Sequence, residues 1–199
     1  MKGGTELEQV IMEYVQDYVR RNQAARVVRD ALEDIGIGLF PVLDHITVRT
    51  LVIDDRAQEF LRFGYEYSET LEYEDWWAKV YRAPGCPALF VDQGYEDERG
   101  KTSIIPGWVR QFGDRTLHHI AVRVGDIDLC MQRLESRGVK FSGAIVGDPG
   151  SDLRQVFTVP DQVDGQSFSV LELTERHNGY QGFSPPQANS LMQSTVKKP

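Results

Sequence analysis

The octapeptide Leu43-Asp44-His45-Ile46-Thr47-Val48-Arg49-Thr50 returns 74 residues later as Leu117-His118-His119-Ile120-Ala121-Val122-Arg123-Val124. The shared core is His-Ile-small-Val-Arg, rich in the β-branched residues that favour strands. Successive strand side chains alternate between faces, so His45, Thr47 and Arg49 share one side, as do His119, Ala121 and Arg123. The opposite sides carry Ile46 with Val48 and Ile120 with Val122. A strand that is aliphatic on one side and imidazole plus guanidinium on the other packs by the first and lines a cavity with the second. Two copies of one module thus bring two histidines and two arginines toward a shared, water-poor, metal-binding pocket, and a duplication of this length constrains the fold more than any single propensity.

Each repeated strand opens a matching series of elements. After the His45 strand, Asp54-Asp55 predicts a cap for a short helix bearing Ala57, Phe60 and Leu61, with Gly64 as its stop. Strands are expected over Tyr65–Tyr73, Trp76–Arg82 and Ala88–Gln93, with Pro84-Gly85 as a turn. After the His119 strand, Asp126 caps a helix bearing Ile127, Met131 and Leu134, stopped at Gly138. Strands follow over Val139–Phe141 with Ala144–Val146, over Leu153–Val159 and over Phe168–Thr174. Ahead of both lie two amphipathic helices. Thr5-Glu6-Leu7-Glu8 has capping-box spacing, and Leu7, Val10, Ile11, Tyr14, Val15, Tyr18 and Val19 form a stripe. The second places Val28, Ala31, Leu32 and Ile35 on one face before Gly36. The expected organisation is a helical cover over 1–40, a first βαβββ module over 41–93, a linker or lid over 94–116, a second module over 117–176 and a tail with a short helix over 177–199. Trp108 fits either a lid aromatic or a buried anchor.

In the last strand of the second module, Glu172 stands within Phe168-Ser169-Val170-Leu171-Glu172-Leu173, where an ionised carboxylate is costly unless paired or metal-bound. Glu175, at the strand end, is expected to face water. His45, His119 and Glu172 make a 2-His-1-carboxylate set, which leaves positions open on Fe(II). His118 is out of phase with Arg123 and is assigned to the opposite face or to a supporting role, and His177 to solvent. Arg49 and Arg123 either pair with carboxylates such as Asp92 or bind an anionic ligand. Asp92 or Gln93, ending the first module, is placed roughly where Glu172 stands in the second; each is read as structural, with a fourth metal ligand as the alternative.

A net charge of −8, with no Lys/Arg cluster outside Lys197-Lys198, argues against nucleic-acid or membrane partners. Two cysteines, Cys86 and Cys130, lie in different modules and read as reduced core thiols. With no apolar run of about 18 residues and a charged pattern after Met1-Lys2-Gly3-Gly4, the expected location is cytoplasmic.

The paired βαβββ modules, with His in the first strand and Glu in the last, resemble the vicinal oxygen chelate superfamily. Leu153-Arg154-Gln155-Val156-Phe157-Thr158 and Leu171-Glu172-Leu173-Thr174-Glu175-Arg176 are similar to the metal-binding half of the 4-hydroxyphenylpyruvate dioxygenases. The closer resemblance is to the 2-oxoadipate dioxygenase/decarboxylase, or 2-hydroxyglutarate synthase, family. It is carried by Asp17-Tyr18-Val19, Gln23-Ala24, Asp44 to Thr50, the Leu-Arg-Gln strand, Tyr180 to Phe183, Gln187-Ala188 and Ser194-Thr195. Many members of that family are longer, with insertions that help close the pocket.

The resemblance implies an α+β fold whose two modules form a curved mixed sheet around a metal site. It implies Fe(II) on His45, His119 and Glu172, with Arg49 holding a substrate carboxylate and Gln155 facing the oxo acid. Thr47 and Arg123 join the expected substrate-binding set. The implied activity is that of a non-haem iron dioxygenase, taking a 2-oxo acid and O2 to a 2-hydroxy acid one carbon shorter and CO2, in a monomer or homodimer. The rivals are another oxo-acid oxygenase, a metal-dependent lyase or isomerase of the same superfamily, and a binding or resistance protein that sequesters a small molecule.

Overall fold

The computed structural model describes residues 6–196, and these divide into two compact units, one of residues 6–18 with 45–118 and the other of 19–44 with 119–196. The chain opens with α1 (Glu6–Arg21), whose stripe Leu7, Ile11, Tyr14, Val15, Tyr18 and Val19 is buried. The Tyr14 ring lies 5.5 Å from that of Phe60. The cap expected at Thr5 lies outside the described residues. Helix α2 (Gln23–Glu33) follows, capped by Asn22, whose side chain accepts from Ala25 N–H and donates to Ser169 Oγ at 3.0 Å. Val28 is buried as expected, whereas Ile35 lies past the helix end and is 69% exposed.

In the first unit, β1 (Leu43–Arg49) leads to α3 (Ile53–Arg62), β2 (Glu66–Glu72), β3 (Trp76–Arg82) and β4 (Ala88–Gly94). The strand order is β2-β3-β4-β1, with β1 parallel to β4 and the other neighbours antiparallel. Ile46 and Val48 of β1 and Leu89 and Val91 of β4 are fully buried, and α3 adds Ile53, Ala57 and Phe60. Burying each such aliphatic side chain stabilises the fold by roughly 1.5–3 kcal/mol. Residues 94–116 hold α4 (Ile105–Phe112), which buries Ile105, Trp108 and Val109 and packs on β4, so Trp108 is an anchor.

The second unit repeats the order with β5 (Leu117–Val124), α5 (Ile127–Glu135), β6 (Phe141–Val146), β7 (Leu153–Thr158) and β9 (Gln166–Arg176). A three-residue strand β8 (Asp161–Val163) pairs with the start of β9. From β5 outward the order is β5-β9-β7-β6, with β5 and β9 parallel. The closing helix α6 (Pro185–Val196) packs on β6 and β7, setting Leu191 against Phe157 and Val170.

The duplication extends to how each module starts its helix. The first N–H of α3, from Ile53, is taken by Oε1 of Gln93 at 2.8 Å, and that of α5, from Ile127, by Oε2 of Glu175 at 2.7 Å. Gln93 and Glu175 stand near the ends of the strands that flank β1 and β5, so the side chain from the last strand caps the helix after the first. This corrects two expectations. Asp54 does not cap α3 but pairs with Lys79, and Glu175 does not face water. It is buried because it also accepts from Arg154 and meets His177 Nε2 at 2.6 Å.

Candidate metal centre

In the second unit the register sets which residues share a face. His119 pairs with Val170, Ala121 with Glu172 and Arg123 with Thr174, while Glu172 and Thr174 sit opposite Phe157 and Gln155 of β7. His119, Glu172, Thr174, Gln155 and Phe157 therefore look the same way. Glu172 is 1% exposed, and such a carboxylate is tolerated only with partners. Its Oε1 accepts from Gln155 Nε2 at 2.6 Å and from Thr174 Oγ1 at 2.7 Å. Its Oε2 lies 3.5 Å from Nε2 of His119, whose ring rests 5.2 Å from Phe157. The 3.5 Å separation is too long for a good hydrogen bond. It is close to the spacing of two ligands each about 2.1 Å from one ion, which is roughly 3.0–3.4 Å at octahedral to tetrahedral angles. The donor set, one imidazole and one carboxylate oxygen with its sister oxygen already satisfied, fits a divalent cation.

In the first unit His45, Thr47 and Arg49 line one face of β1, and all three are buried. Their register partners on β4 are Ala88, Phe90 and Asp92. Because Ala121 pairs with Glu172 as Thr47 pairs with Phe90, the place of Glu172 is held here by Phe90, whose ring lies 5.1 Å from His45. Asp92 corresponds instead to Thr174. This corrects the expectation that Asp92 or Gln93 stands in the carboxylate's position, and it means that the first module offers an imidazole from this face with no matching glutamate. Arg49 is 1% exposed, and its guanidinium sits 5.4 Å from the Trp108 ring. His118 meets the same indole edge-on at 5.8 Å.

Asp92 is 2% exposed, and among the described residues its Oδ1 has no hydrogen-bond partner. Burial pushes its carboxyl up to about 7, against the opposing pull of Arg49 and His45. Burial likewise draws Arg49 down to about 10, with Asp92 acting in the other direction. A carboxyl whose folded pKa lies above its unfolded value near 3.8 keeps a proton in the native state that the unfolded chain has lost, so its contribution falls as pH rises from about 4 through about 7. In metal-free protein the stability of Asp92→Asn relative to wild type should therefore grow by a few kcal/mol across that window, to order of magnitude. Any constant offset from Arg49 cancels in the slope. Urea titrations between pH 4 and 8 check this, and a flat difference would place the Asp92 titration elsewhere.

Arg123 is not brought to these residues. Its side chain is 47% exposed and binds Oδ1 of Asp44 at 3.1 Å, the same buried carboxylate that Arg176 holds with two bonds of 2.7 and 2.9 Å. Arg123 also donates to Gln181 Oε1, and Arg176 to the carbonyl of Gly182, so the two arginines tie down the segment after β9. The structure thus places Arg123, expected in the substrate-binding set, against Asp44 and Gln181. The reason is position: Arg123 is the next-to-last residue of β5, where the strand emerges from cover. The residue that sequence reading passed over is Thr174. Its signal was its spacing of two from Glu172, which puts its hydroxyl on the carboxylate's side of β9.

No protein-family model matches the chain, and no curated protein matches it. Solved structures do. A protein from Shewanella frigidimarina, provisionally described as a hydrolase, is 20% identical over 92% of this chain and 99% of its own, with a TM-score of 0.75. A protein from Ralstonia eutropha assigned provisionally to the glyoxalase superfamily is 13% identical over 89% of this chain and 85% of its own, with a TM-score of 0.67. A triple mutant of 4-hydroxymandelate synthase from Streptomyces coelicolor is 19% identical over 79% of this chain, which spans 55% of that one, with a TM-score of 0.60. At these identities the likeness shows the fold, the α+β fold of the vicinal oxygen chelate superfamily.

Proposed function

We propose that the protein is a non-haem Fe(II)-dependent dioxygenase that converts a 2-oxo acid of the 2-oxoadipate kind, with O2, to a 2-hydroxy acid one carbon shorter and CO2. The observation that carries the reading is the ligand set: His119 and Glu172 are buried together in the second unit, Nε2 to Oε2 3.5 Å apart, and His45 is the buried imidazole at the repeated position of the first. Two imidazoles and one carboxylate leave half of an octahedral ion open, which suits Fe(II) chemistry with a chelating substrate and a gas. The likeness of fold to 4-hydroxymandelate synthase supports the same class.

In this proposal the iron would serve as template and Lewis acid for the oxo acid and for oxygen. The protein's residues do the rest. His45, His119 and Glu172 hold the ion on rigid strands. Arg49, buried on the same face of β1 as His45, takes the distal carboxylate through paired N–H groups and aims the chain. Thr47, between them on that face, lines the path, and Phe90 and Phe157 beside the two histidines exclude water. Gln155 is committed to Glu172 and acts through it. The balance is simple: one O2 enters, one CO2 leaves, and the two oxygen atoms end in the new carboxylate and the new hydroxyl.

The test is anaerobic loading with Fe(II), followed by oxygen uptake with a panel of 2-oxo acids that includes 2-oxoadipate. Uptake in step with CO2 release and a 2-hydroxy acid product is the expected result. Metal binding without oxygen uptake on any member would sink the oxygenase reading and favour a lyase or isomerase.

A further inference from the structure

We infer that Thr174, together with Gln155, is a positioning residue that fixes which oxygen of Glu172 faces the metal. A glutamate on a strand has three side-chain torsions, and its two oxygens are equivalent until something distinguishes them. Here Oε1 receives two donors, the Thr174 hydroxyl at 2.7 Å and the Gln155 amide at 2.6 Å. Both come from regular strand positions, Thr174 two residues along β9 and Gln155 as the register partner of Thr174 on β7. Their backbones are therefore set by the sheet and not by a loop. Thr174 is fully buried and Gln155 is 5% exposed, so water does not compete for the same oxygen. With Oε1 held from two sides the carboxylate plane is fixed, and Oε2 is left 3.5 Å from Nε2 of His119.

The chemistry of the donors matters as much as their geometry. A lysine or arginine in either place would neutralise the carboxylate and weaken its hold on a cation. A hydroxyl and an amide orient it and leave its full negative charge for the ion. The first module marks the contrast, since the place of Thr174 is taken there by Asp92 and that of Glu172 by Phe90. The hydroxyl occurs where there is a ligand to orient.

This inference rests on the proposed metal site, and its test reads metal affinity, not turnover. Metal-free wild type, Thr174→Val, Thr174→Ser and Gln155→Met are titrated with Co(II), and binding is followed by its absorption spectrum. Thr174→Val keeps the shape and loses the donor, and should bind Co(II) about 10–100-fold more weakly. Thr174→Ser restores the hydroxyl and should return toward wild-type affinity, with an unchanged ligand-field spectrum. Gln155→Met should weaken binding in the same range, and it decides the matter alone if Thr174→Val does not fold. Wild-type affinity in both Thr174→Val and Gln155→Met overturns the inference and leaves the metal reading standing. Equal loss in Thr174→Val and Thr174→Ser would also overturn it, because a role in packing alone does not distinguish them by the hydroxyl. A wild type that takes up no Co(II) overturns the metal reading and this inference together.

Discussion

Glu172→Gln is expected to fold as wild type does and to lose Fe(II). The substitution keeps a carbonyl oxygen where Oε1 accepts from Thr174 and Gln155, so neither buried donor is orphaned. What it removes is the charge and the anionic oxygen beside His119. Affinity for Fe(II) should fall by more than about 100-fold, beyond the cost of disturbing a supporting hydrogen bond. His45→Ala and His119→Ala should each do the same. His118→Ala should not, because that ring rests edge-on against Trp108 and is not one of the three. Metal analysis of protein purified without chelator and reloaded anaerobically reads all four. Iron retained by Glu172→Gln at wild-type level, or lost as completely from His118→Ala as from His119→Ala, would remove the basis of the proposed site.

The contrast between the two adjacent histidines shows what a single chain can reveal before its structure is known. Strand alternation separates His118 from His119 because the period of two is a property of the backbone, and the arginine four residues on supplies the phase. The same rule predicted β3, β4, β7 and most of β9 to within a residue or two. It failed where the deciding contact is distant in sequence. The side chain that takes the first N–H of α3 is Gln93, 40 residues away, and nothing local to Asp54 reveals it; α5 keeps the expected cap, Asp126 accepting from Leu129 N–H, with Glu175 added from 48 residues away. Three-residue β8 is too short to show a period. Counting back from the strand's end puts Asp92 or Gln93 at the position equivalent to Glu172, whereas the pairing register puts Phe90 there. Arg123 illustrates a further limit. Alternation assigns a face, but whether that face is covered depends on where the strand ends and what packs beyond it, and at Arg123 it meets Asp44 and solvent.

Arg49 shares its face with His45 and, unlike Arg123, is covered throughout, and this is why its removal should separate substrate binding from metal binding. In Arg49→Ala, kcat/KM for a dicarboxylic 2-oxo acid should drop about 10²–10³-fold, the loss of a buried, charge-assisted pair worth about 3–4 kcal/mol. Most of the change should appear in KM, since the lost contact is to the far end of the substrate and not to the reacting carbons. Fe(II) content should stay at the wild-type level. A 2-oxo acid without the distal carboxylate should be turned over alike by both proteins, which separates loss of recognition from general damage. Arg49→Lys should recover only part of the loss, because an ammonium keeps the charge but not the planar pair of donors. There is a structural consequence as well: without the guanidinium, Asp92 loses a cation that opposes its rise, so its carboxyl should titrate higher still. Iron falling in parallel with turnover, or an equal penalty on substrates with and without the second carboxylate, would mean that Arg49 supports the strand and not the substrate.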